Sequence, residues 1–304
     1  MSRLLSTKEV ATLLDINEKK VYRLITEKRL PATKVTGKWL FPERLVRQWI
    51  EANTINYPEE KIRLYDAAPS LFVIAGSNDL LLDRAMGLFM SIYPEYTVVF
   101  GNLGSMGGIR ALKQGLCHLA TSHLIDDDEK EYNFSFAAQE MDNMPAVVNF
   151  CFREQGLIIA RDNPLGIQGL ADLAGGRVRM VNRSISTGTR LWFDRRLREL
   201  GLDPAGIPGY GWEVQRHLDV GLAVLSGKAD AGPGIRAVAE ILGLGFVPAH
   251  WERFDLLISK AIFFQKNIQA FLSLPAEPRF QALAAEIPGY DLSLSGKMVY
   301  PVGR

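Results

Sequence analysis

Between Asn53 and Ser70 the apolar periodicity of the chain breaks: Asn-Tyr-Pro, a Glu-Glu-Lys-Ile-Arg charge cluster and Ala-Ala-Pro-Ser follow one another, a linker composition. The two sides of this break obey different patterns. Before it, apolar residues recur at helical spacing in short groups; after it, strand-length apolar runs alternate with helical ones. A chain of 304 residues is long enough for each side to build its own core. The expected organisation is a small domain over 1–53, a linker over 54–70 and a large α/β domain over 71–304.

Charge follows the same division. Residues 1–53 hold eleven Lys/Arg and six Asp/Glu, leaving 24 and 28 for the remainder, so a basic head precedes a mildly acidic body although the whole chain carries only +1. That asymmetry suits a phosphate contact confined to the head. With 47% hydrophobic and 23% charged residues, disordered and fibrous classes drop out. No run approaches the ~20 apolar residues of a membrane span, and the start lacks a secretory leader pattern, so a cytoplasmic protein without membrane contact is expected. Cys117 and Cys151 have neither disulfide nor metal-ligand spacing.

In the head, Ser6-Thr7-Lys8-Glu9 has the hydroxyl and carboxylate of a capping box, and Val10, Leu13 and Leu14 continue it as a helix. After the Asp15-Ile16-Asn17 interruption, Val21, Leu24 and Ile25 mark a second helix. This is a helix-turn-helix pattern. Asn17, Lys19, Lys20, Tyr22, Arg23 and Thr26 lie off the apolar stripe and are side-chain types that reach phosphates and base edges. Leu30 to Phe41 predicts two short strands around Thr36-Gly37-Lys38, a wing that adds Thr36 and Lys38 to the DNA-binding candidates. Pro42-Glu43 opens a third helix through Leu45, Val46, Trp49 and Ile50. The pattern LSTKEVATLLDINEKKVYRLITEKRLPATKVTGKWLFPERLVRQWI resembles the excisionase family of winged-helix DNA-binding domains, relatives of the MerR group.

In the body, apolar Leu71–Ala75 leads into Gly76-Ser77-Asn78-Asp79 and a helix, and Thr97–Phe100, a glycine-rich loop, a helix to Gly115 and Leu119–Ser122 repeat the order. Parallel βαβ units follow from this alternation, with ligand sites at the strand carboxyl ends. A second series starts with a strand at Leu157–Ala160 and continues through strand Val178–Val181, a helix to Leu200, a helix Arg216–Ser226 and strand Ala229–Ala231. Phe246–Pro248 and Leu256–Ile258 are expected as separate strands, and the tail is helical until Gly289. The body resembles periplasmic-binding-protein-like domains, themselves similar to molybdate and tungstate solute-binding proteins, in AGSND, GNLGSMGGIRALKQGLCHLATSHLID, the stretch around Thr187-Gly188-Thr189-Arg190, and GKADAGPGI. It departs from them at Asn182 to Ser186, where a glycine often stands closer to the threonine. The fold class expected is α/β: a small winged helix-turn-helix domain followed by a two-lobed binding-protein-like domain. The resemblance implies lobe 1 over about 71–150 and 259–304 and lobe 2 over about 151–258.

Small polar loops at strand ends that start helices collect unpaired backbone N–H groups and attract anions, although Ser, Thr and Asn are also ordinary helix caps. Three qualify, and by the resemblance they face each other across the cleft. They supply Ser77 and Asn78; Ser105, Met106 and Gly107; and Ser184, Ser186, Thr187 and Thr189. Arg190 could add charge, and His123, next to the strand ending at Ser122, is the histidine expected to line the cleft. His118 and His217 are expected to be structural, as is Asp230. No nucleophile elbow, P-loop or trusted carboxylate pair is present, and the cleft serines have no evident base partner, so no enzyme and no cofactor are expected. The expected function is a ligand-responsive one-component regulator binding DNA and a small anion, with molybdate or tungstate implied by the resemblance, acting as a homodimer. The alternative is a sensor of molybdenum cofactor or another organic anion acting through protein contacts.

Overall fold

The computed structural model describes residues 3–34, 37–55, 69–126, 131–185 and 187–301. The chain divides into two compact units at residue 60. In the first, Ser6 accepts from the Glu9 backbone while the Glu9 carboxylate takes the Ser6 N–H at 2.7 Å, closing the capping box that starts helix α1, Thr7–Leu13. Helix α2, Glu18–Glu27, is capped by Asn17, and helix α3, Glu43–Ala52, completes the set. Their apolar stripes meet in a core of Leu5, Val10, Ala11, Val21, Leu30, Phe41 and Val46, with Trp39 and Trp49 against its side.

The wing differs from the expectation. Among the described residues the hairpin is a single antiparallel bridge, Thr33 to Leu40, and the returning strand β2, Leu40–Pro42, pairs instead with an N-terminal strand β1, Leu4–Ser6. Leu5 and Phe41 are buried partners in that ladder, so core burial decides the pairing. Thr36 lies outside the described residues.

The second unit is built on one seven-stranded mixed sheet. Strand β3, Leu71–Gly76, runs parallel to β4, Thr97–Asn102, and to β5, Leu119–Ser122, as the βαβ pattern requires. Helices α4, Leu80–Ile92, and α5, Gly104–Lys113, follow β3 and β4, and α6, Phe134–Glu140, comes after β5. Gly76, at φ +135°, lies so close to β5 that an added methyl carbon would sit 2.2 Å from the Thr121 carbonyl oxygen. Two strands of 14 residues, β6, Ala146–Ile159, and β10, Gly245–Ile258, pair antiparallel along their whole length. One end of β10 inserts between β6 and β5; the other end of β6 carries β9, Ala231–Ile235. A terminal strand, β11 (Tyr290–Asp291), pairs with the middle of β6.

These long strands replace the separate strands expected from the sequence. Phe246–Pro248 and Leu256–Ile258 are two ends of one strand, and Asp255–Ile258 pair with β5. The strand expected at Ala229–Ala231 lies at Ala231–Ile235, and Val178–Val181 forms only a bridge from Met180 to Ala231. Lobe 1 packs two apolar clusters around Phe72, Phe89, Phe254 and Phe271 and around Ile109, Leu112 and Leu257. Lobe 2 packs Trp192, Phe193 and Leu197 of helix α7, Gly188–Glu199, on one side and Val220 and Val224 of helix α8, His217–Leu225, on the other. Within the described residues, no helix is long and apolar enough to cross a membrane.

Candidate functional site

Midway along β6 the apolar sequence is interrupted by Arg153-Glu154-Gln155, and the polar groups of both lobes converge there. Arg153 is fully buried; its guanidinium pairs with Glu252 of β10 and with Asp79 at 3.1 Å, and reaches the Asn78 carbonyl oxygen. Asp79 caps α4 through the Leu81 and Leu82 N–H groups and accepts the Tyr290 hydroxyl at 2.9 Å. Glu252 also holds Nδ1 of His123 at 2.8 Å, and Nε2 of the same ring meets the Ser77 hydroxyl at 3.0 Å. Burial alone would raise the Glu252 carboxyl, but Arg153 and His123 outweigh it and hold it at about 2. Burial pushes His123 down from the ordinary histidine range, against the pull of Glu252.

From the other lobe, Gly188 at the start of α7 packs on the His123 ring, where an added methyl carbon would stand 2.7 Å from the ring. Thr189 accepts from Gln155 Nε2 at 2.7 Å. Arg183, in the short strand β7 (Asn182–Arg183), which pairs with β8 (Glu213–Val214), is 1% exposed; its Nε and one terminal nitrogen have no hydrogen-bond partner. Burial, and then the charge of Arg153, push the Arg183 guanidinium down from its ordinary value. His217, equally buried, has neither ring nitrogen bonded; burial and then Arg183 hold it well below the usual histidine range. Ser122 Oγ, Asn78 Oδ1, Gln155 Oε1 and one terminal nitrogen of Arg153 are likewise buried without partners.

Ser77, Ser105 and His123 of the expected set therefore come together, with Ser105 Oγ accepting the His123 N–H at 3.3 Å and with Gly188 and Thr189 approaching from lobe 2. Met106 and Gly107 occupy the first turn of α5 and are half-buried. Ser186 lies outside the described residues. Three expectations change. Ser77 does have a basic partner, His123, because the chain from β5 places the ring beside the β3 loop. Thr187 spends its hydroxyl proton on the Ser184 carbonyl oxygen at 2.8 Å, within its own capping turn. Arg190 is committed to Asp194, Glu213 and the face of Tyr210, and its remaining bond, 3.0 Å to the Arg183 carbonyl oxygen, steadies the Arg183 strand. Asp230, as expected, makes a structural pair with Arg179.

Arg183, Arg153 and Gln155 are not among the residues expected from the sequence, and His217, expected to be structural, is buried with neither ring nitrogen bonded. For Arg183 the signal was its place in the stretch Asn182 to Ser186, where the sequence departs from the family pattern. Arg153 and Gln155 stand before the strand expected at Leu157–Ala160, in a polar stretch that carries no local strand signal.

In the first unit, Lys19, Lys20, Tyr22, Arg23 and Thr26 are exposed on α2, and Lys38 is exposed after Gly37. Asn17 is occupied as the cap, accepting from the Lys20 N–H at 2.9 Å, and Thr26 bonds the Arg23 carbonyl oxygen.

A bilobal α/β unit with its polar groups gathered at the lobe junction, preceded by a helix-turn-helix unit, defines a binding protein joined to a reading head. Residues 86–275 match the model of the PBP superfamily domain and residues 4–54 that of a helix-turn-helix domain, here of the excisionase type. The chain belongs to the PBP superfamily. It is 28% identical over 298 residues to the uncharacterized protein YvgK of Bacillus subtilis (strain 168), covering 96% of each chain. In structure it is similar to a protein described as a phosphate ABC transporter substrate-binding protein with bound phosphate from Clostridium perfringens. That likeness has a TM-score of 0.54 and 13% identity, covering 76% of this chain and all of the other. The Synechocystis PCC6803 CcmR regulatory domain in complex with 2-PG is similar at a TM-score of 0.50 and 14% identity, covering 70% and 95% of the two chains. These likenesses establish the fold.

Proposed function

We propose that this protein is a one-component transcription regulator in which the α2 surface reads DNA and the junction between the lobes binds a small anion that sets the response. The observation that carries the reading is Arg183: a buried cation, ion-paired to no carboxylate among the described residues, with unused N–H groups beside an unbonded His217. Burying an unpaired charge is costly, so such a group is retained where a ligand supplies the counter-charge. The helix-turn-helix match and the basic α2 surface support DNA as the other partner. A single small reading head gains affinity and specificity from a twin, which favours a homodimer on a repeated site, working in the cytoplasm where its DNA is. Molybdate and tungstate are candidate anions by the sequence resemblance; phosphate esters and small carboxylates fit the same guanidinium.

The test is a thermal-shift screen of the whole protein against oxyanions and small organic acids, followed by salt-dependent binding of duplex DNA with and without the best anion. An anion that raises the melting temperature and changes DNA affinity supports the reading. Stabilisation by uncharged metabolites alone, undiminished in Arg183→Met, would refute it.

A further inference from the structure

The unpartnered atoms of the site are not all donors, and their polarity restricts the ligand more than charge does. Glu252, held ionised beside Arg153, can only accept, so His123 carries its proton on Nδ1. In the neutral ring Nε2 is then bare, and the Ser77 hydroxyl donates to it. Ser77 Oγ therefore presents only lone pairs to the junction. Gln155 spends its Nε2 on Thr189, which leaves Oε1 as a buried acceptor without a donor, and Asn78 Oδ1 is another. The buried donors without partners are those of Arg183 and the last free nitrogen of Arg153, close enough for the two charges to act on each other and on His217, which can offer one donor and one acceptor.

We infer that the ligand is an anion that also carries a hydrogen-bond donor, a hydroxylated or singly protonated small acid, and that a bare tetrahedral oxyanion such as molybdate, tungstate or sulfate is disfavoured. The inference rests on the anion reading proposed above. A bare oxyanion would satisfy Arg183 but set its own lone pairs against Ser77 Oγ, Asn78 Oδ1 and Gln155 Oε1, leaving buried acceptors unpaired. Sites built to bond a ligand hydroxyl discriminate strongly against the analogue that lacks it.

Two probe pairs isolate this property. Inorganic phosphate at pH 7.5 is largely the monohydrogen dianion, of the same shape and charge as sulfate but with one donor; glycerate differs from propionate by its hydroxyls. Calorimetry of the full chain should show phosphate over sulfate, molybdate and tungstate, or glycerate over propionate, by about tenfold or more. Gln155→Leu, checked for folding by circular dichroism, should shrink that ratio by weakening the donor-bearing member while sparing the other. Gln155→Met provides the same test if the leucine variant fails to fold. Sulfate, molybdate or tungstate binding as tightly as phosphate, with glycerate no better than propionate, overturns the inference and leaves the anion site standing. Binding of none of these probes, or binding indifferent to Arg183→Met, removes the anion reading itself.

Discussion

At the scale of single residues, the junction buries polar groups without partners, a cost in stability that the proposed ligand would offset. Arg183→Met replaces a buried, unpaired guanidinium by an apolar chain of similar length, and should stabilise the ligand-free protein by about 1–4 kcal/mol while abolishing anion binding. Thermal melts and calorimetry on the same preparation read both effects; a variant that melts lower would mean that Arg183 is structural. Gly188→Ala should weaken ligand affinity with little loss of secondary structure, since its methyl would stand 2.7 Å from the His123 ring. Glu252 gives a pH prediction. Its folded value of about 2 lies below the ordinary 4.5, so the stabilisation it brings is complete above 4.5 and disappears as pH falls toward 2. Acid melts should show that loss, and Glu252→Gln should flatten the curve across the same window while lowering stability at neutral pH.

At the scale of elements, the head depends on its caps and on α2. Ser6→Ala removes the acceptor of the Glu9 N–H and should cost about 0.5–2 kcal/mol, visible in the unfolding of the first unit. Lys20→Ala and Arg23→Ala should each weaken DNA binding and lower the salt slope by about one, with ligand affinity unchanged. Unaltered DNA affinity in both would move the reading surface off α2. Helices were the most legible part of the sequence, because Ser6 and Thr187 announce their starts through the chemistry of unpaired N–H groups, whereas Asn17, expected on the DNA surface, proved to be a cap. The long strands were not legible. Arg153-Glu154-Gln155 on β6 and His250 to Arg253 on β10 look like loop sequence, yet antiparallel pairing carries the backbone straight through them. The polar residues belong there because they meet each other and the β3 loop, a long-range relation that local periodicity does not encode. The candidate site was half visible for the same reason: loops with serine and threonine can be recognised locally, whereas Arg153 meets Asp79 and Glu252, and Gln155 meets Thr189, only through contacts distant in sequence.

At the scale of the whole molecule, ligand binding should stabilise the second unit by mass action, about 2.7 kcal/mol at a hundredfold excess over Kd, and so shift its melting transition with ligand concentration. A transition that moves only for the first unit would place the ligand elsewhere. The position of β10 also governs how the chain comes to be folded. This strand fills the gap between β5 and β6, yet it is made more than 120 residues after β5. While a ribosome is still short of residue 258, β5 and β6 each present an open edge, and the apolar surface that Phe254, Leu256 and Leu257 will cover is bare. The three helices of the first unit, the last ending at Ala52, leave the ribosome early with their local contacts. Nascent chains stalled before β10 should accordingly hold a protease-resistant head on a body that is digested or captured by chaperones, and resistance of that body should arrive in one step once β10 has emerged.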